Sequence, residues 1–150
     1  MLAYDRTLTT ARAFAEAGRI EEWIHAYLCS DGHNQPFSDG LKLEKRFYIG
    51  PVTMPLHLFT RCCGPEETMK WRVDAEGFHR RVSVLADAIR SHADLPPLIV
   101  QYTAEGFTLT DGNHRYEAYK QCGITEVAVI LWGTGQADER SLRGLYHEYL

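Results

Sequence analysis

Ile20, Trp23, Ile24, Tyr27 and Leu28 fall at intervals of three and four, the spacing of one helix face. The pattern predicts helix over residues 7–29, with Gly18 separating two short helices or marking a kink. Ser30 to Gly40 is rich in turn formers and reads as a loop long enough to be functional. Tyr48 to Phe59 has strand character at Ile49, Val52, Met54, Leu56 and Leu58. Pro51 and Pro55 lack an N–H to give to a sheet, so an edge strand or a bent extended segment is expected there.

The second half is more regular. Phe78, Val82, Leu85 and Ile89 line one face of a helix over 75–92, which Pro96 and Pro97 stop. Leu98 to Tyr102 reads as a buried strand, Glu105-Gly106 as a turn, and Phe107 to Thr110 as the returning antiparallel strand. A helix follows from Asn113 to Cys122, with Gly123 suited to a left-handed residue after its last turn. Val127 to Trp132 is a strand, and Leu142, Leu145, Tyr146 and Tyr149 mark a final amphipathic helix. This order gives an α+β fold, a small mixed sheet with helices packed on it.

Composition narrows the class. A chain of 150 residues with 45% apolar positions fits one domain with a real core. No apolar run reaches the ~18 residues of a membrane span, and the first residues lack a signal-peptide core, so no membrane partner and a cytoplasmic location are expected. Cys29, Cys62, Cys63 and Cys122 form no C-x-x-C zinc pattern and read as reduced thiols, the sharper alternative being redox chemistry at the adjacent pair. Net charge is −4, from 16 basic and 20 acidic side chains, which argues against DNA as the main partner. The local exception is the basic run at Lys42, Lys45 and Arg46.

The chemistry concentrates in Thr110-Asp111-Gly112-Asn113-His114-Arg115-Tyr116, where a strand runs through Asp-Gly straight into a helix. The first N–H groups of that helix have no helical acceptors and lie at the positive end of its dipole, a ready anion site. Gly112 lets backbone approach an anion closely. Asn113, His114 and Arg115 follow on the first turn, Arg115 with a planar fork suited to phosphate oxygens. The plainer reading is a helix cap at Asp111, a turn at Gly112, and solvated polar residues after it.

These residues resemble a known family. Residues 95–132, with the double proline, the hairpin and the Asp-Gly-Asn-His-Arg-Tyr loop, look like the core of the ParB/sulfiredoxin superfamily, and the similarity extends over about 48–132. It implies a ParB/sulfiredoxin-like domain over 48–150, with residues 1–47 as an N-terminal helical extension and loop packed on it. It also implies a nucleoside di- or triphosphate (ATP, ADP or CTP), with Mg2+, whose phosphates rest on Gly112, Asn113, His114 and Arg115. In sulfiredoxins the helix before the double proline contributes a lysine and two hydroxyls. Here Arg81, Val84 and Ala88 stand at those places, so Arg81 is the nucleotide contact expected from that helix.

The departures set limits. The loop cysteine of sulfiredoxins is replaced by Asn113, whose amide cannot form a thiolsulfinate, so sulfinic-acid reduction is not expected. After Leu150 no room remains for the helix-turn-helix domain of partition proteins. The Asp-Gly-x-x-Arg form also resembles the free-serine kinases of the superfamily, which use a carboxylate base. Asp111 is a candidate for such a base and for a Mg2+ ligand, the plainer role being a cap. In the loop 62–67 one of Glu66 and Glu67, Glu66 first, is a second candidate base, both being read otherwise as solvated acids. Ser38 to Arg46 is a candidate to fold over the nucleotide. The leading expectation is nucleotide binding with phosphoryl transfer or hydrolysis, as a kinase or hydrolase. The alternatives are a DNA-associated nuclease or partition-type module and a non-catalytic interaction domain using the aromatic N-terminal helices.

Overall fold

The computed structural model describes residues 2–150. Three helices come first: α1 (Leu8–Glu16), α2 (Ile20–Leu28) and α3 (Gln35–Leu41). Gly18, at φ +72°, ends the first and lets the second turn away. The third corrects the expectation of a long loop at 30–40. The Asn34 side chain accepts from the Phe37 N–H and Pro36 sits in the first turn, which together start a helix from a turn-rich composition.

The strands β1 (Arg46–Pro55), β2 (Phe59–Arg61), β5 (Leu98–Thr103), β6 (Gly106–Asp111) and β7 (Glu126–Thr134) form one sheet in the order β1-β7-β5-β6-β2. Two further strands, β3 (Cys63–Gly64) and β4 (Trp71–Arg72), pair with each other. The large sheet is mixed. β5 runs antiparallel to β6 and parallel to β7, while β1 is antiparallel to β7. β1 lies at an edge and its register slips between Ile49 and Val52, around a cis Gly50–Pro51 bond. This is where a strand can absorb a proline.

Both faces of the sheet are covered, because strand side chains alternate. On one face Leu98, Val100, Val129 and Leu131 join Met54, Leu109 and Leu142. The last belongs to α6 (Gln136–Leu145). On the other face Ile99, Ile130 and Trp132 pack against Phe14, Trp23, Ile24, Tyr27 and Leu28 of the first two helices. Helices α4 (Ala75–Arg90) and α5 (Asn113–Gln121) pack together through Phe78, Val82, Ala86 and Ala118. Among the described residues no helix is long and apolar enough to cross a membrane.

Polar contacts tie the first helices to the sheet. Asp94, before β5, accepts from the N–H groups of Leu8 (2.9 Å) and Thr9 (3.3 Å) and so caps α1 from 86 residues away. The Arg46 guanidinium donates to Gly40 O, Leu41 O and Thr134 Oγ1 and lies over the Trp132 ring. Arg46 is thereby taken out of the basic run. Neither it nor the rest of 38–46 reaches the main cleft, which corrects the expectation that this segment folds over a ligand.

The shared core has a consequence for unfolding. Trp23 has no exposed surface and stacks on Tyr27 with centroids 5.1 Å apart. Trp23→Ala should lower the stability of the whole chain by about 3–5 kcal/mol. Denaturant unfolding should remain a single transition. A separate early transition that leaves the main one in place would show the first helices to be an independent unit.

Candidate functional site

β6 ends at Asp111, Gly112 turns the chain at φ +104°, and α5 begins at Asn113 with no side-chain cap. The hairpin, the Asp-Gly turn and the helix start therefore fall where the sequence places them. A cleft of about 1270 Å³ opens here. One wall is α4, through Arg81, Val84 and Ala88. The loop before β5 and the residues from Thr110 to Arg115 form another part of the lining. Cys62, Cys63, Lys70 and Trp71 come from the segment around β3 and β4, and Arg6, Tyr27 and Asn34 from the N-terminal region.

Arg115 corrects the simplest phosphate-clamp reading, in which it is an exposed charge at a helix start. It is only 8% exposed. Its Nη1 donates to Tyr27 Oη at 2.9 Å, and its Nη2 to Pro97 O at 3.2 Å and Asp111 Oδ2 at 3.3 Å. Nε has no protein partner. Burial raises the Asp111 carboxyl above its ordinary range, against the pull of Arg115. The pair is a brace that joins α2, the lead-in to β5, the end of β6 and α5. Gly112 is part of the same packing. A Cβ there would lie 2.6 Å from Leu98 Cδ2 and 3.0 Å from Arg115 Nη2, so the close approach that requires glycine is to the protein's own side chains.

Asn113 is also committed. Its Oδ1 accepts from the N–H groups of Cys62 and Cys63, each at 3.1 Å, and fixes that loop to the helix start. The amide oxygen thus serves as a tether, while the amide N–H groups are not used in it. Burial pushes both thiols up from their ordinary value, which keeps them protonated and opposes a redox role. Glu66 departs from its expected role as well. Arg61 binds its carboxylate, and although burial alone would raise it, that hydrogen bond holds Glu66 below the usual carboxylate range. A paired, acidic carboxylate away from the residues lining the cleft is a poor general base.

His114 and Arg81 remain open to a ligand. The His114 ring lies 4.8 Å from Phe78. Burial first, then the charges of Arg81, Arg115 and Arg61, push it down to about 4. Arg81 is exposed and, among the described residues, makes no ion pair. Arg61 lies under the same aromatic, with its guanidinium carbon 5.1 Å from the Phe78 ring centroid. Tyr27, Arg61, Lys70 and Trp71 escape sequence reading, because Tyr27 sits on an ordinary apolar helix face and the others lie in or beside strands too short to show periodicity.

Residues 73–144 match the family model described as the ParB N-terminal domain. That stretch carries α4, the β5–β6 hairpin, α5, β7 and most of α6. No curated protein matches. Among solved structures, a sulfiredoxin from Arabidopsis thaliana is 22% identical, with 69% of this chain and 99% of that one covered and a TM-score of 0.43. A C-terminally truncated chromosome-partitioning protein ParB from Caulobacter crescentus, complexed with CTP-gamma-S, is 15% identical at 67% and 53% coverage, TM-score 0.44. A Pnob8-like ParB-N domain is 16% identical at 68% and 39% coverage, TM-score 0.42. The chain spans about half or less of the two ParB chains.

Two outcomes follow for the site residues. Arg115→Ala should destabilise the fold by about 3–5 kcal/mol, because it leaves Asp111 buried without its cation. Chemical denaturation measures this, and a loss under ~0.5 kcal/mol would return Arg115 to the surface. For His114 the folded value lies below the ordinary 6.5, so the unfolded chain takes up the proton first as pH falls. Its stabilising contribution is therefore complete above about pH 6.5 and is lost as pH falls toward 4. The stability of His114→Gln should fall less steeply over that window than that of the parent. Parallel pH profiles would contradict the assignment.

Proposed function

We propose that the protein binds a nucleoside di- or triphosphate at the start of α5 and uses it in phosphoryl transfer or hydrolysis. One observation carries this reading. The half-buried His114, with Arg81 close enough to depress its proton affinity, stands at an uncapped helix N-terminus that opens on a cleft. The free backbone donors, the exposed Arg81 and the N–H of a neutral His114 ring together suit a polyphosphate. Arg115 acts from behind, holding the helix start rigid and adding charge.

The cleft exceeds the roughly 300–1,000 Å³ of common small-molecule sites, which leaves room for an acceptor beside the nucleotide. Asp111, buried and raised in affinity for a proton, is the carboxylate adjoining the helix start and serves as candidate base. Among the described residues no three His, Cys, Asp or Glu side chains gather around a metal position. Magnesium fits here as a companion of the nucleotide, held by phosphate oxygens with Asp111 as a protein ligand, where it would neutralise phosphate charge. The residues themselves position the phosphates, and the Arg115–Asp111 pair braces the helix start that holds them.

A DNA-associated role is the second reading, favoured by the match to the ParB N-terminal domain. Against it stand the net charge of −4 and the commitment of Arg46 to backbone carbonyls. Duplex DNA should bind no tighter than micromolar at physiological salt. Sub-micromolar binding in a fluorescence anisotropy titration would put this reading first.

Calorimetry with ATP, ADP and CTP tests the nucleotide reading. Arg81→Ala removes a charge-assisted contact of about 1.5–3 kcal/mol and should weaken binding roughly ten- to a hundred-fold. It should leave the melting temperature in place, since Arg81 is exposed. Unchanged affinity in the variant, or no binding by the parent at millimolar nucleotide, defeats the proposal.

A further inference from the structure

Of the three tryptophans, Trp23 and Trp132 are buried in the core, but Trp71 is 62% exposed. Val84 on α4 is 65% exposed. Both line the cleft, and each stands beside a cation. The Lys70 ammonium lies 5.8 Å from the Trp71 ring centroid, and Arg81 precedes Val84 by three residues on the same face of α4. An aromatic and an aliphatic surface left in water next to free positive charge match a ligand with a flat apolar ring and an anionic tail.

The position of Trp71 is tied to the phosphate end of the site. Asn113 Oδ1 accepts from the Cys62 N–H, and Cys62 O accepts from the Trp71 N–H at 2.8 Å. Two hydrogen bonds through one residue thus set the backbone of Trp71 relative to the start of α5. Cys62 and Trp71 both lie outside the 73–144 match. The Asn113 amide thereby carries the spacing between the two halves of the site.

We propose that Trp71 is the base-stacking platform of the nucleotide site, with Val84 adding apolar contact from α4. The proposal rests on the phosphate reading above and adds the recognition of the ring. Stacking on an aromatic face is tolerant of base identity, because every base presents a π surface. The site should therefore accept purine and pyrimidine nucleotides and prefer the larger ring only modestly.

The test compares ATP, CTP and inorganic tripolyphosphate on the full chain, its Trp71→Ala variant and its Trp71→Phe variant by calorimetry. Trp71→Ala should weaken ATP and CTP by roughly ten-fold or more. It should leave tripolyphosphate within about two-fold, and Trp71→Phe should recover most of the loss. ATP should also quench the parent's tryptophan emission, and Trp71→Phe should remove that quenching, since the remaining tryptophans are buried. Unchanged ATP affinity in Trp71→Ala, with tripolyphosphate still bound by the parent, overturns the platform and leaves the phosphate site standing. Equal weakening of tripolyphosphate and nucleotides also overturns it, because the residue would then act on the phosphate end or on the fold. Binding of neither ligand by the parent removes both proposals.

Discussion

The buried guanidinium of Arg115 is the contact on which the site depends. It gathers Tyr27 from α2, the Pro97 carbonyl before β5 and the Asp111 carboxylate at the end of β6 around the first turn of α5. A charge at this depth tolerates no casual substitution, because losing any partner leaves polar groups unpaired away from water. The helix start is therefore held from three directions, and its free N–H groups face the cleft with little freedom to relax. Such preorganisation is what an anion site needs, since donors already in place cost nothing to orient when the ligand arrives.

The same contact explains the reach of the N-terminal helices. They cover the sheet face formed by Ile99, Ile130 and Trp132, and through Tyr27 they touch the residue that braces the site. Packing and site geometry are thus coupled, and damage to the α1–α2 core should be felt at the α5 start. The tether from Asn113 through Cys62 to Trp71 plays a corresponding part on the other side, with a hydrogen-bonded path in place of a hydrophobic layer.

Periodicity makes the frame legible from sequence. α4, the β5–β6 hairpin, α5 and β7 follow patterns that no tertiary contact overrides, and the prolines of β1 announce an edge. α3 was harder to read, because Asn34 and Pro36 serve a loop and a helix start equally well. At the site, the loop 110–115 stands out by residue type, but not the direction each side chain takes. Arg115 and Asn113 have the chemistry of ligand contacts and turn inward, because Tyr27, Asp111 and the Cys62–Cys63 loop offer partners distant in sequence. Arg81 is the reverse case. Only the family resemblance marks it on α4, and the fold adds that it is exposed on the cleft wall.

A polyanion held at the start of α5 is the central claim, and the imidazole of His114 lies there to report its arrival. Its proton affinity can be followed by NMR, with the His114→Gln variant identifying the resonance. In the free protein His114 should titrate near 4, well below the ordinary 6.5. Saturating tripolyphosphate should move that midpoint up by a unit or more, about 1.4 kcal/mol per unit, because the bound anion stabilises the imidazolium. A His114 that titrates near 6.5 in the free protein, or whose midpoint ignores the polyanion, would contradict the claim.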